Sequence, residues 1–194
     1  MSLAPLISDL AAHIQSPEFF ESARHPAYST AFTRRRKLPL PALVALMMSG
    51  MRKSIQAELD MFFGHLQLGA HLVRLVSEQA FSLARSKLSL TALPSLNDWL
   101  IERAEHYGFI MHWRGLRLVA ADASTLHFGL RASHVKHAAP ADQILFGLFL
   151  PGAELMLATA LHPVGGCGER QMLFEQLDRL SNTDLLLLDR GYPA

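Results

Sequence analysis

Up to about residue 108 the apolar positions recur at helical spacing; beyond it they alternate or run together. Leu3, Leu6, Ile7, Leu10 and Ile14 form one such stripe, stopped by Ser16-Pro17, and Phe19, Phe20 and Ala23 mark a short second turn. Pro41 suits the first turn of an apolar helix running from Ala42 to Met48 and ended by Ser49-Gly50. Ser54 is placed to cap a helix carrying Ile55, Leu59, Phe62, Phe63 and Leu66 on one side. A further helix starts near Ser77, with Ala80, Phe81, Ala84 and Leu88 inward. The last spans Ser95 to Tyr107, with Trp99, Leu100 and Ala104 inward and Gly108 as terminator.

The period then changes to two. Leu116, Leu118 and Ala120 alternate with Arg117, Val119 and Ala121 in a strand leading into Asp122, and Trp113 at its entry reads as a core residue. Ile144 to Leu150 and Leu155 to Leu161 predict two more strands, joined by a hairpin at Pro151-Gly152-Ala153-Glu154. Gly165-Gly166-Cys167-Gly168 opens a helix with Leu173, Leu177 and Leu180 at i, i+4 and i+7. That helix returns to Leu185-Leu186-Leu187-Leu188, which closes on Asp189. Four leucines without alternation read as an interior strand covered on both faces. The same run could form a helical turn, but Ser181-Asn182-Thr183 and Gly191-Tyr192-Pro193 are breakers and favour a short strand. The expected architecture is therefore mixed α+β or α/β. An all-helical domain over 1–108 precedes a sheet domain over 109–194, in the order three strands, helix, fourth strand.

Composition narrows the picture. The chain has 194 residues, 50% of them hydrophobic, enough to bury a core rather than stay disordered. Its one cysteine, Cys167, excludes an internal disulfide and fits a reducing compartment. Neither a signal peptide nor an apolar run of the roughly 20 residues that cross a bilayer is evident, so the expected location is the cytoplasm. The net charge is only +1, yet Arg24, Arg34, Arg35, Arg36, Lys37, Arg52 and Lys53 fall in a window between Glu21 and Glu58 that holds no acid. Such a stretch is either a solvated basic loop or the footprint of a polyanion.

Asp122 and Asp189 stand at the carboxyl ends of two expected strands, where open sheets place their ligands. On parallel neighbouring strands they would repel unless a divalent cation lay between them; otherwise they are simply solvated strand ends. Zinc is a weaker reading. His134 and His137 have i, i+3 spacing, with His162 and Cys167 further on, but the set is sparse and Lys136 lies between the two rings. The Gly165–Gly168 stretch lacks the Lys-Ser/Thr of a phosphate loop. Cys167 has no evident base beside it and reads as a small structural residue.

Several segments taken together resemble one family. Leu118-Val119-Ala120-Ala121-Asp122-Ala123-Ser124-Thr125-Leu126 and Leu187-Leu188-Asp189-Arg190-Gly191-Tyr192 resemble the first two catalytic segments of DDE transposases of the insertion-sequence-four family. Gly168-Glu169-Arg170 is similar to a recurrent feature between those segments. Phe32-Thr33-Arg34-Arg35-Arg36-Lys37-Leu38-Pro39 and Lys53-Ser54-Ile55-Gln56 resemble the helical DNA-binding region. The resemblance implies an RNase H-like domain that uses Mg²⁺ or Mn²⁺ for strand cleavage and transfer at the terminal inverted repeats of double-stranded DNA. It makes Asp122 and Asp189 the first two metal-ligating acids, and Arg34, Arg35, Arg36, Lys37, Arg52 and Lys53 contacts to DNA phosphates. It also implies a homodimer or a full-length transposase as partner. The family's third acid, a glutamate in a later Tyr…Arg…Glu…Lys signature, has no counterpart. Glu169 and Glu175 lie on the crossover helix, away from any strand end. The expectation is a truncated transposase, inactive alone, that either descends from an enzyme or serves as a non-catalytic DNA-end-binding competitor.

Overall fold

The computed structural model describes residues 2–34, 36–66, 75–127 and 142–192. The fold is mixed α+β, with seven α-helices and a five-stranded sheet among the described residues. The chain divides into two compact units, Met1–Leu96 and Asn97–Ala194, so the division falls inside the sixth helix.

The first unit contains α1 (Ala4–His13), α2 (Pro17–Ser22), a 3-10 turn (Pro26–Tyr28), α3 (Leu40–Met48), α4 (Ile55–Leu66), α5 (Glu78–Arg85) and the start of α6 (Ala92–His106). Serines begin three of these helices. Ser16, Ser54 and Ser77 each accept a bond from the backbone N–H three residues on, at 3.1, 3.4 and 3.2 Å. Each such cap contributes about 1 kcal/mol. Phe19, Leu40, Leu43, Val44, Leu46, Leu59 and Phe81 form the core. The chain leaving α2 is stitched to the chain leaving α5: His25 N–H donates to Lys87 C=O at 2.9 Å, and Ser89 N–H to Ala23 C=O at 2.8 Å. The apolar stripe of α1 is not buried. Leu3 and Ile7 are more than half exposed, and α1 contributes no core residue.

The second unit holds the rest of α6, β1 (His112–Trp113), β2 (Leu116–Leu126), β3 (Gln143–Leu150), β4 (Leu155–Pro163), α7 (Glu169–Phe174), a 3-10 turn (Leu177–Arg179) and β5 (Asp184–Leu187). β1 and β2 form a hairpin over Arg114 and Gly115, both left-handed (φ 52° and 83°), a turn whose twist matches that of paired strands. β2, β3 and β4 are successively antiparallel, while β5 runs parallel to β2. Ala120 pairs with both Phe149 of β3 and Leu187 of β5, so those two strands flank β2 on opposite edges. Val119, Ala121, Phe146, Leu148, Met172 and Leu173 make the core where α7 covers β2 and β3.

Four expectations from the sequence need correction. β2 does not stop at Asp122. It runs on to Leu126, because β3 offers ladder partners as far as Gln143. β5 is not an interior strand: among the described residues it pairs only with β2, and Leu187 and Leu188 are 42% and 43% exposed. The crossover helix ends at Phe174, so Leu177 lies on the 3-10 turn, exposed, and no stripe from Leu173 to Leu180 forms. Trp113 is 51% exposed and packs under the Arg114 guanidinium, 4.6 Å from its ring centre, rather than in the core.

Candidate functional site

The parallel pairing of β2 and β5 is what positions the two aspartates. The register runs from Arg117 opposite Asp184 to Ala120 opposite Leu187. Two residues beyond that last pair, on each chain segment, stand Asp122 and Asp189, both exposed. Alternation along β2 puts Asp122 on the face that carries Leu118 and Ala120, whose partners on β5 are Leu185 and Leu187. Asp122 therefore sits in mid-strand, but at the point where the parallel ladder gives out. Its antiparallel partner on the other side is Gly147. A Cβ at that glycine would run into the Met156 methyl group, the far end of a flexible side chain that can move aside.

A charge pair pins this register. Arg117 grips Asp184 through two bonds, Nε to Oδ1 and Nη2 to Oδ2, both 2.7 Å. Ser181 N–H adds a third bond to the same carboxylate at 2.9 Å. Burial alone would raise the Asp184 pKa, but the bonds from Arg117 and Ser181 and the guanidinium charge outweigh it and hold the carboxyl below its usual range. The bond to Asp184 raises Arg117 in turn, against an opposing cost of burial. A one-residue slip would separate this fork and move every β5 side chain to the other face. The sequence reading passed over both residues, although opposite charges on strands expected to be neighbours were the available signal.

Asp122 Oδ1 accepts a bond from the Ala123 N–H at 2.8 Å, and Asp189 Oδ1 one from the Arg190 N–H. Each keeps oxygen for a hard cation such as Mg²⁺ or Mn²⁺, so the donor chemistry fits such an ion. Tyr192 lies close by in the turn after β5, its N–H bonded to the Asp189 C=O at 3.1 Å. The ring is 8% exposed, and its hydroxyl is buried with no hydrogen-bond partner. Burial raises the phenol's pKa, and the charges of Glu169, Asp122 and Asp189 raise it further. Glu169, the first residue of α7, thus acts on the same phenol as the two aspartates, which its place in the sequence did not reveal. Among the described residues no three His, Cys, Asp or Glu side chains converge closely enough to hold a metal ion.

The zinc candidates divide. His134 and His137 lie outside the described residues. Cys167 has a base that sequence adjacency hid: its Sγ is 3.6 Å from His162 Nδ1, which stands 3.9 Å from Glu175 Oε2.

In the helical unit, Arg34, Arg36 and Lys37 line a cavity of about 990 Å³ together with Lys87, a cation far off in sequence. Arg35 lies outside the described residues. Arg52 and Lys53 do not line that cavity. Their backbone N–H groups donate to Glu58 Oε1 at 2.8 and 2.7 Å, and those two bonds lower the Glu58 pKa. Among the described residues no helix is long and apolar enough to cross a membrane. Comparison of the chain with known protein families, with curated proteins and with solved structures returns no match.

Proposed function

We infer that the chain is part of a DNA transposase with an RNase H-like catalytic core, working on double-stranded DNA at terminal inverted repeats. The reading is supported by the parallel β2–β5 register: Asp122 in β2 and Asp189, just past the end of β5, each stand two residues beyond the last pair, Ala120 with Leu187. The reading is also supported by the succession of three antiparallel strands, a crossover helix and a fourth strand parallel to the first. Asp122 and Asp189 would hold the divalent ion; the charge of Glu169, like theirs, raises the pKa of Tyr192. When bound, the ion would polarise a phosphate oxygen and make a water or 3′-hydroxyl more acidic. The protein's own contribution is to fix the carboxylates through the Arg117–Asp184 fork and to hold DNA phosphates on the cations of the helical unit.

A second reading is favoured by the lack of a converging third ligand among the described residues. Here the chain grips DNA ends, or pairs with itself or a full-length transposase, as a non-catalytic competitor. A cleavage assay separates the two. Nicking of inverted-repeat DNA in Mg²⁺ or Mn²⁺ that disappears in Asp122→Ala supports the enzyme. Salt-sensitive binding without nicking in the wild-type chain supports the competitor.

A further inference from the structure

The cavity in the helical unit is built for more than a phosphate. It lies between the segment running from Ala27 to Leu38 and the α5 segment from Ser77 to Lys87. Among the described residues four cations line it, Arg34, Arg36, Lys37 and Lys87, and no acid does. Among the described residues none of the four has a carboxylate within salt-bridge distance. An uncompensated cluster of this kind attracts an anion. The rest of the wall mixes apolar side chains with Ser29, Thr30 and Ser77, and two of its lining residues, Tyr28 and Leu83, are 45% and 57% exposed.

The volume, about 990 Å³, lies at the upper end of the roughly 300–1,000 Å³ usual for small-molecule sites. The walls are fixed by tertiary bonds. Arg24 Nε donates to Ala31 C=O at 3.0 Å, next to Phe32, which holds the left-handed φ of 61° unusual for a bulky residue. Lys87 is brought in by the antiparallel bridge between Arg24 and Leu88.

A blunt duplex keeps its bases stacked inside and offers only phosphates to such a surface, leaving the rest of the wall unfilled. An unpaired nucleotide offers both an anion and a planar body. We propose that this cavity seats an unpaired nucleotide at a DNA end, its phosphates on Arg34, Arg36, Lys37 and Lys87 and its base against Tyr28 and Leu83. The proposal rests on the DNA-binding part of the function inferred above and adds the form of DNA that is preferred.

Fluorescence anisotropy on the full chain, with a blunt duplex and the same duplex carrying a short single-stranded overhang, tests it. The overhang should bind about fivefold or more tightly, the scale of one base–aromatic stack. Tyr28→Ala should erase that preference, while Lys87→Ala weakens both probes. Tyr28 is exposed, and circular dichroism checks that the variant folds. Independently of any variant, an iododeoxyuridine placed in the overhang should photo-crosslink to the wild-type chain between Ala27 and Phe32. Equal affinity for the two probes, or a crosslink elsewhere, overturns the proposal while leaving DNA binding intact. Displacement by thymidine monophosphate at concentrations as low as those of the DNA would make this a free-nucleotide site and also overturn it. Binding to neither probe overturns both this proposal and the DNA reading beneath it.

Discussion

The helical unit and the sheet unit handle charge in opposite ways. In the first, among the described residues, four cations line a cavity without an acid to neutralise them. In the second, the best-buried charges face each other: Asp184, with only 2% of its side chain exposed, is closed off by Arg117. Two exposed acids, Asp122 and Asp189, stand two residues beyond the last β2–β5 pair. The difference separates two uses of charge. A fork buried between strands fixes geometry, while groups left open are available to a ligand.

The largest effect that should sharpen this contrast is catalytic. On the enzyme reading proposed above, any Mg²⁺-dependent nicking should fall by more than about a hundredfold when Asp122 or Asp189 is replaced by alanine, beyond the 10–100-fold typical of losing a group that only supports a metal ligand. DNA affinity, measured by anisotropy, should not change. A variant that loses binding as well would break the division of labour between the units.

The fork should show itself in stability. Asp184→Ala leaves the Arg117 guanidinium without its partner and should cost about 2–4 kcal/mol, read from urea unfolding. Because the Asp184 carboxyl titrates below its usual range when folded, its contribution is present above the ordinary unfolded value near 4. It is lost as pH falls through the lower folded value. Wild-type chain should therefore lose stability on acidification more steeply than Asp184→Ala. Parallel curves would remove the fork from the account.

Smaller again is the basic cavity. Alanine at Arg34, Arg36, Lys37 and Lys87 together should weaken DNA binding at low salt at least about tenfold. The slope of log affinity against log salt should become shallower by about one for each phosphate that the variant no longer neutralises. Stability should barely move, since among the described residues no acid lies within salt-bridge distance of these four.

Tyr192→Phe gives the smallest shift and the most telling sign. Removing a buried hydroxyl that has no partner should stabilise the chain by about 1 kcal/mol in the absence of divalent ions. A loss of stability would mean the hydroxyl already bonds to one of the neighbouring acids.

The elements were largely legible because their signals are local. Ser16, Ser54 and Ser77 cap helices with their own neighbours, and Pro151 to Glu154 turns between strands whose alternation spans only a few residues. Two errors came from reading apolarity as burial. Leu185 to Leu188 and Trp113 are apolar enough for an interior, yet what lies against them depends on the rest of the fold. The crossover helix was drawn too long for a related reason: spacing at i, i+4 and i+7 permits a helix but does not supply a surface to bury it.

Local sequence was enough to set the order of helices and strands, the run of basic residues and the two aspartates, because each is a property of nearby residues. The parallel register that runs from Arg117 with Asp184 to Ala120 with Leu187, the fork of Arg117 on Asp184, and the arrival of Lys87 in the same cavity as Arg34 and Arg36 came only with the tertiary fold. So did the placing of the unpartnered Tyr192 hydroxyl within the influence of three acids. Most of these join segments tens of residues apart, and which strand edges pair and which chain ends are stitched together sets them. No local pattern encodes that choice.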